Sequence, residues 1–107
     1  MYYIEFFRKK PNVSLEEFQR VVRGGFKRWS ELHPEDAPVL AIARTWRLGP
    51  AEAQYMIVWE IPDFARIDEW TAARRSDPAS AAAVDEGTIS VADVDAGVYE
   101  DIGLEML

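Results

Sequence analysis

Two short runs constrain this chain more than anything else in it. Tyr2–Phe7 and Tyr55–Glu60 alternate like β-strands, yet both carry apolar side chains on both faces. In the first run Tyr2, Ile4 and Phe6 point one way and Tyr3, Glu5 and Phe7 the other; in the second Tyr55, Ile57 and Trp59 alternate with Gln54, Met56 and Val58. A strand with one face in water alternates apolar with polar residues. These strands are therefore expected to be covered on both sides, and the cover has to come from somewhere.

The rest of the chain supplies only part of it. Ser14 can cap a helix while Glu17 reaches back, and Leu15, Phe18, Val22, Phe26, Trp29 and Leu32 then recur at three- and four-residue steps. Gly24-Gly25 interrupts that helix at about 1 kcal/mol each relative to Ala, marking close approach, a bend or looseness. Val39–Leu48 reads as a second strand with Ile42, Arg44, Trp46 and Leu48 on one side, closed by Gly49-Pro50. A second helix follows Pro62, with Asp63 as its cap and Phe64, Ile67, Trp70 and Ala73 on its buried side. Pro78 ends it, Ala79–Glu86 has room for one or two further turns, and a last strand falls within Ile89–Asp101, centred on Val94–Tyr99.

The order β-α-β-β-α-β predicts a ferredoxin-like α+β fold, an antiparallel sheet with two main helices on one face. At 107 residues it is expected to be a single domain spanning 1–107. Two helices cover one face only, so a second copy of the chain is the expected cover for the other, giving a homodimer.

Composition narrows the partners. With no Cys, disulfides, thiolate zinc sites and cysteine nucleophiles are excluded. A single His and the lack of a Gly-rich phosphate loop argue against zinc, flavin and nicotinamide, so no cofactor is expected; haem, which needs only His33 as an axial ligand, stays open. Asp93 and Asp95 share a strand face but offer too few oxygens for Ca²⁺, so no metal site is expected. The net charge is −7, and residues 76–107 hold eight acids and no base. Such a surface repels phosphate, so nucleic acid is not an expected partner. The longest apolar stretch, Ala37–Ala43, is too short for a membrane span and the start lacks a signal-peptide pattern, which predicts a cytoplasmic protein without membrane contact.

The stretch Met56-Ile57-Val58-Trp59-Glu60-Ile61-Pro62-Asp63-Phe64-Ala65-Arg66, followed by Trp70, Arg74 and Asp77-Pro78, resembles the NIPSNAP-like branch of the dimeric α+β barrel superfamily. The closing Asp95-Ala96-Gly97-Val98-Tyr99 is compatible with it. The resemblance implies a barrel of two subunits. It also points to a superfamily of cofactor-free monooxygenases, polyketide cyclases, lactone isomerases, haem-degrading enzymes and members without known activity.

His33, at the end of the first helix, is the one side chain that titrates near neutrality when unperturbed; it reads either as a helix cap or as a general base. The polyketide cyclases of the superfamily use a pair of His, and this chain has one. Tyr55 is the second proton-handling candidate, and Arg44 is expected to steady negative charge on an enolate or carboxylate. Trp29, Trp46, Trp59 and Tyr99 are candidate walls for a flat ligand, with Gly24-Gly25 leaving the covering helix short of bulk above them. The expected function is a cofactor-independent enzyme acting on a small aromatic or polyketide-like metabolite, of monooxygenase, cyclase or isomerase type. The alternative is a non-catalytic small-molecule-binding or structural dimer, and a cavity with convergent polar groups distinguishes the two.

Overall fold

A computed structural model describes residues 1–44 and 54–106. Its aromatic-rich start forms β1 (Tyr2–Lys9), as side chains of that shape suit a pleated surface. The first helix, α1 (Leu15–Leu32), begins where the capping pair predicts: the Ser14 hydroxyl accepts the Glu17 N–H at 3.1 Å. It stops at His33, whose backbone N–H donates to the Trp29 carbonyl. Two strands follow, β2 (Pro38–Ala43) and β3 (Gln54–Glu60). The expected continuation of β2 through Leu48 and its turn lies outside the described residues.

The helix α2 (Ala65–Ser76) starts after Asp63, whose carboxylate accepts the Ala65 N–H at 3.0 Å. A third helix, α3 (Pro78–Val84), is capped by the Asp77 carboxylate and runs directly into a π-helical turn (Asp85–Ile89). The chain then forms β4 (Ala92–Tyr99) and a single 3-10 turn (Leu104–Met106). The alanine-rich stretch thus forms the two helical turns its sequence allows, and the π-helical turn extends them to Ile89. Among the described residues, no helix is long and apolar enough to cross a membrane.

The four strands pair antiparallel in the order β2-β3-β1-β4, the ferredoxin-like α+β arrangement that the order of elements predicts. Register divides the side chains cleanly. Tyr3 lies opposite Trp59 and Val98, and Glu5 opposite Ile57 and Ala96, on the side where α1, α2, α3 and the π-helical turn lie. Here Phe7, Val13, Phe18, Val22, Ile57, Trp59, Val91 and Ala92 form the core. The other face carries Tyr2, Ile4, Phe6, Met56, Leu40 and Ile42, with Tyr99 and the carboxylates of Asp93 and Asp95 along β4. Leu40, Ile42 and Tyr99 are exposed there, so the two-faced apolarity of the strands has one face answered by helices and one left open.

Two expectations are corrected. Phe64, placed by its spacing on the buried side of α2, is 61% exposed, and no residue of α2 is fully buried. The reason is that α2 packs on α3 and spans a gap above the sheet. Gly25 does border that gap, but the space of its missing side chain is itself filled by backbone. A Cβ there would fall 2.6 Å from the Gly87 carbonyl oxygen, so the two glycines let α1 and the π-helical turn meet backbone to backbone. Gly24 faces open space instead.

Candidate functional site

The gap under α2 is a cavity of about 230 Å³. Its floor is the helix-side face of the sheet, with Tyr3, Glu5 and Phe7 from β1, Trp59 from β3 and Val94 from β4. Phe26 and Trp29 of α1 form one wall, and Ile67, Trp70, Thr71 and Arg74 of α2 the roof. The last wall comes from α3 and the π-helical turn, where Thr88 and Ile89 reach the cavity. Aromatic edges meet faces at two places: Tyr3 and Trp70 are 5.5 Å apart between ring centroids, as are Trp59 and Trp70.

Glu5 is the chemical centre of this arrangement. The two-residue period of β1 puts it between Tyr3 and Phe7 on the helix side, where it is largely withdrawn from water. Its Oε1 accepts the Trp59 indole N–H at 2.7 Å. Burial pushes its carboxyl up to about 7, against a smaller pull downward from the Trp59 hydrogen bond. At neutral pH the group is therefore divided between acid and base forms, the condition under which a carboxyl both takes and returns a proton. The phenol of Tyr3 next to it is raised above its usual value, first by burial and then by the Glu5 charge.

A second tryptophan is held the same way. The Trp70 indole N–H donates to Asp36 at 2.9 Å, and Arg66 sits 3.6 Å from the other oxygen of that buried carboxylate. Both indole N–H groups are thus turned to carboxylates, fixing the orientation of the rings that floor and roof the cavity. Donor atoms of His33, Glu35 and Asp36 lie within 4.8 Å of one another, a spacing a cation can use, but Asp36 is already engaged by Trp70 and Arg66.

Of the residues singled out in the sequence, the cavity brings together Trp29 and Trp59. His33 is elsewhere. Its Nε2 lies 2.9 Å from the Ser80 hydroxyl, which donates its own proton to Asp77 at 2.7 Å. The Ser80 oxygen therefore accepts from His33, placing the imidazole proton on Nε2. The chain His33–Ser80–Asp77 ties the end of α1 to the α2–α3 junction, and the Ser80 hydrogen bond holds the Asp77 carboxyl below its usual range. The Tyr55 ring stacks on Phe18 with centroids 4.9 Å apart, away from the cavity lining. Arg44 follows the last residue of β2, its N–H bonded to the Gln54 carbonyl, and Tyr99 lies on the opposite face of the sheet. Trp46 falls outside the described residues.

Glu5 escaped the sequence reading, although one signal was there. A carboxylate between Tyr3 and Phe7 on an apolar strand face is out of place unless something needs it. Trp70 entered as a buried-side residue of the second helix and through the family resemblance, Arg74 through the resemblance alone.

No family model and no curated protein matches the chain by sequence. Among solved structures it is similar to a mutant of SnoaB, a cofactor-independent oxygenase from Streptomyces nogalater, at 14% identity and a TM-score of 0.56, covering 95% of this chain and 92% of that one. It is also similar to protein Atu4242 from Agrobacterium tumefaciens, at 18% identity and a TM-score of 0.57, covering 97% of this chain and 98% of that one. At these identities the likeness establishes the fold alone, a ferredoxin-like α+β unit.

Proposed function

We propose that the protein is a cofactor-independent enzyme of cytoplasmic small-molecule metabolism, in which Glu5 moves a proton to and from a flat aromatic substrate. The observation that carries this reading is a carboxyl poised near neutrality on the floor of a cavity walled by Tyr3, Phe26, Trp29, Trp59 and Trp70. A base of this kind removes a phenolic proton or a C–H proton next to a carbonyl. The resulting anion is electron-rich: it rearranges, closes a ring, or passes an electron directly to O₂. Those three fates are isomerase, cyclase and oxygenase chemistry, and the fold likeness to a cofactor-independent oxygenase supports the last of them.

Size refines the substrate. Apolar cavities of about 150 Å³ take up benzene, whereas drug-sized ligands occupy about 300 Å³ or more. At about 230 Å³ the cavity suits one or two fused rings, with a longer polyketide-like molecule admitted only in part.

The assembly belongs to the same proposal. The open sheet face of Tyr2, Ile4, Phe6, Met56, Leu40 and Ile42 is covered by a second copy, making the homodimeric barrel of the superfamily whose NIPSNAP-like branch the strand-to-helix run resembles.

The test is turnover of mono- and bicyclic phenols by the purified protein, followed by O₂ uptake and by absorbance. Activity should rise with pH through about 7 and fall at least 100-fold in Glu5→Gln, the usual scale for loss of a general base. Turnover unaffected by Glu5→Gln would refute Glu5 as the base, and no turnover of any such phenol by the wild type would favour a binding or structural role.

A further inference from the structure

We propose that Arg74 makes this cavity selective for flat ligands that carry an anionic group, Asp85 yielding the guanidinium to a ligand carboxylate or phenolate. The inference rests on the reading of the cavity as a ligand site and goes further in naming which ligands enter it.

The polar inventory of the lining points to Arg74. Trp59 and Trp70 give their indole N–H groups to Glu5 and Asp36. The Thr71 hydroxyl donates to the Ile67 carbonyl and the Thr88 hydroxyl to the Val84 carbonyl, so both present lone pairs to a ligand. Among the described lining residues the charged side chains are Glu5 on the floor and Arg74 in the last turn of α2. An acid group on a ligand is repelled by the first and matched by the second.

Location and present partner complete the case. Arg74 pairs with Asp85, the first residue of the π-helical turn, across the seam between the two elements that frame the cavity there. The two side chains are 46% and 52% exposed, so the pair stands at the mouth, in reach of solvent. An ion pair so exposed adds little to stability, and Asp85 meets the guanidinium through one nitrogen and one oxygen, whereas a ligand carboxylate can engage it with both oxygens. The sequence assigns the steadying of negative charge to Arg44, which follows the last residue of β2; in the fold it is Arg74 that lines the cavity.

A matched pair of probes tests the proposal: 2-naphthoate and its neutral counterpart 2-naphthamide, titrated at pH 6 with tryptophan emission and calorimetry as readouts. Glu5 then largely carries its proton and does not oppose the anion. The wild-type protein should bind naphthoate about tenfold more tightly than naphthamide, the scale of one charge-assisted pair at a solvent-exposed site. Arg74→Gln should bring the ratio to about one without weakening naphthamide. Asp85→Asn, which keeps the guanidinium and removes its competitor, should tighten naphthoate alone; it decides the matter if Arg74→Gln fails to fold. Equal binding of the two probes by the wild-type protein, or a preference that survives Arg74→Gln, would overturn the role of Arg74 and leave the aromatic site standing. Binding of neither probe would overturn both.

Discussion

Trp59 donates its indole N–H to Glu5 at 2.7 Å, joining the centres of two neighbouring strands through their side chains on the helix side of the sheet. That bond explains how a carboxyl survives in an apolar interior: it satisfies one oxygen and leaves the other to the cavity. Burial raises that carboxyl to about 7 and the Trp59 bond draws it partly back, and the two together set the pH response of the protein.

Stability should therefore fall as pH rises. In the unfolded chain Glu5 titrates near 4.5 and in the folded protein near 7, so the native state holds the extra proton between those values. Below 4.5 both states are protonated and no penalty exists; above 7 the penalty is complete. The full shift corresponds to about 3 kcal/mol, which water entering the cavity reduces to about 2 kcal/mol. Denaturant melts of Glu5→Gln and the wild type should coincide near pH 4.5 and differ by about 2 kcal/mol at pH 8, with Glu5→Gln the more stable.

Replacing Trp59 by Phe removes the donor while keeping an aromatic ring. The carboxyl then loses the interaction that draws its titration down, so its midpoint should move above 7. Denaturant melts across the same pH range should show the decline of stability extending to higher pH. The variant should also be less stable overall by about 1–3 kcal/mol from the lost ring volume at a residue only 5% exposed.

Neighbouring glycines should respond oppositely to the same substitution. Gly24→Ala meets no atom within 4 Å and gains helix propensity, so stability should rise by about 0.5–1 kcal/mol. Gly25→Ala drives a Cβ into the Gly87 backbone, and stability should drop by about 1–3 kcal/mol. Thermal melts of the two variants, measured side by side, check both signs.

The open sheet face makes a prediction about assembly. Ile42→Glu places a charge on the apolar surface of β2, at a residue 47% exposed in the single chain. Light scattering should show the wild type at twice the 12.2 kDa chain mass and the variant near the chain mass, with unchanged circular dichroism. A wild-type mass near 12.2 kDa across micromolar concentrations would contradict the dimer.

The fold was readable because its signals are local. Ser14 with Glu17, the Phe18–Val22–Phe26–Trp29 stripe, and the alternation around Tyr3 and Trp59 each depend on residues a few positions apart. The cavity depends on separations that no periodicity carries: Glu5 meets Trp59 across 54 positions, and Trp70 meets Asp36 across 34. His33 drew attention for its intrinsic pKa, whereas burial gave the comparable value to a glutamate that looks ordinary in the sequence. Gly25 signalled close approach correctly, but its partner Gly87 lies on a π-helical turn that composition does not announce.

The account stands or falls on the proton held by Glu5. A ¹³C-detected NMR titration of the side-chain carboxyls, with Glu5 assigned by its loss in Glu5→Gln, measures it directly. The predicted result is a Glu5 midpoint near 7. A Glu5 midpoint near 4.5 would mean a solvated carboxylate that is a poor base at neutral pH, and would contradict the proposed chemistry.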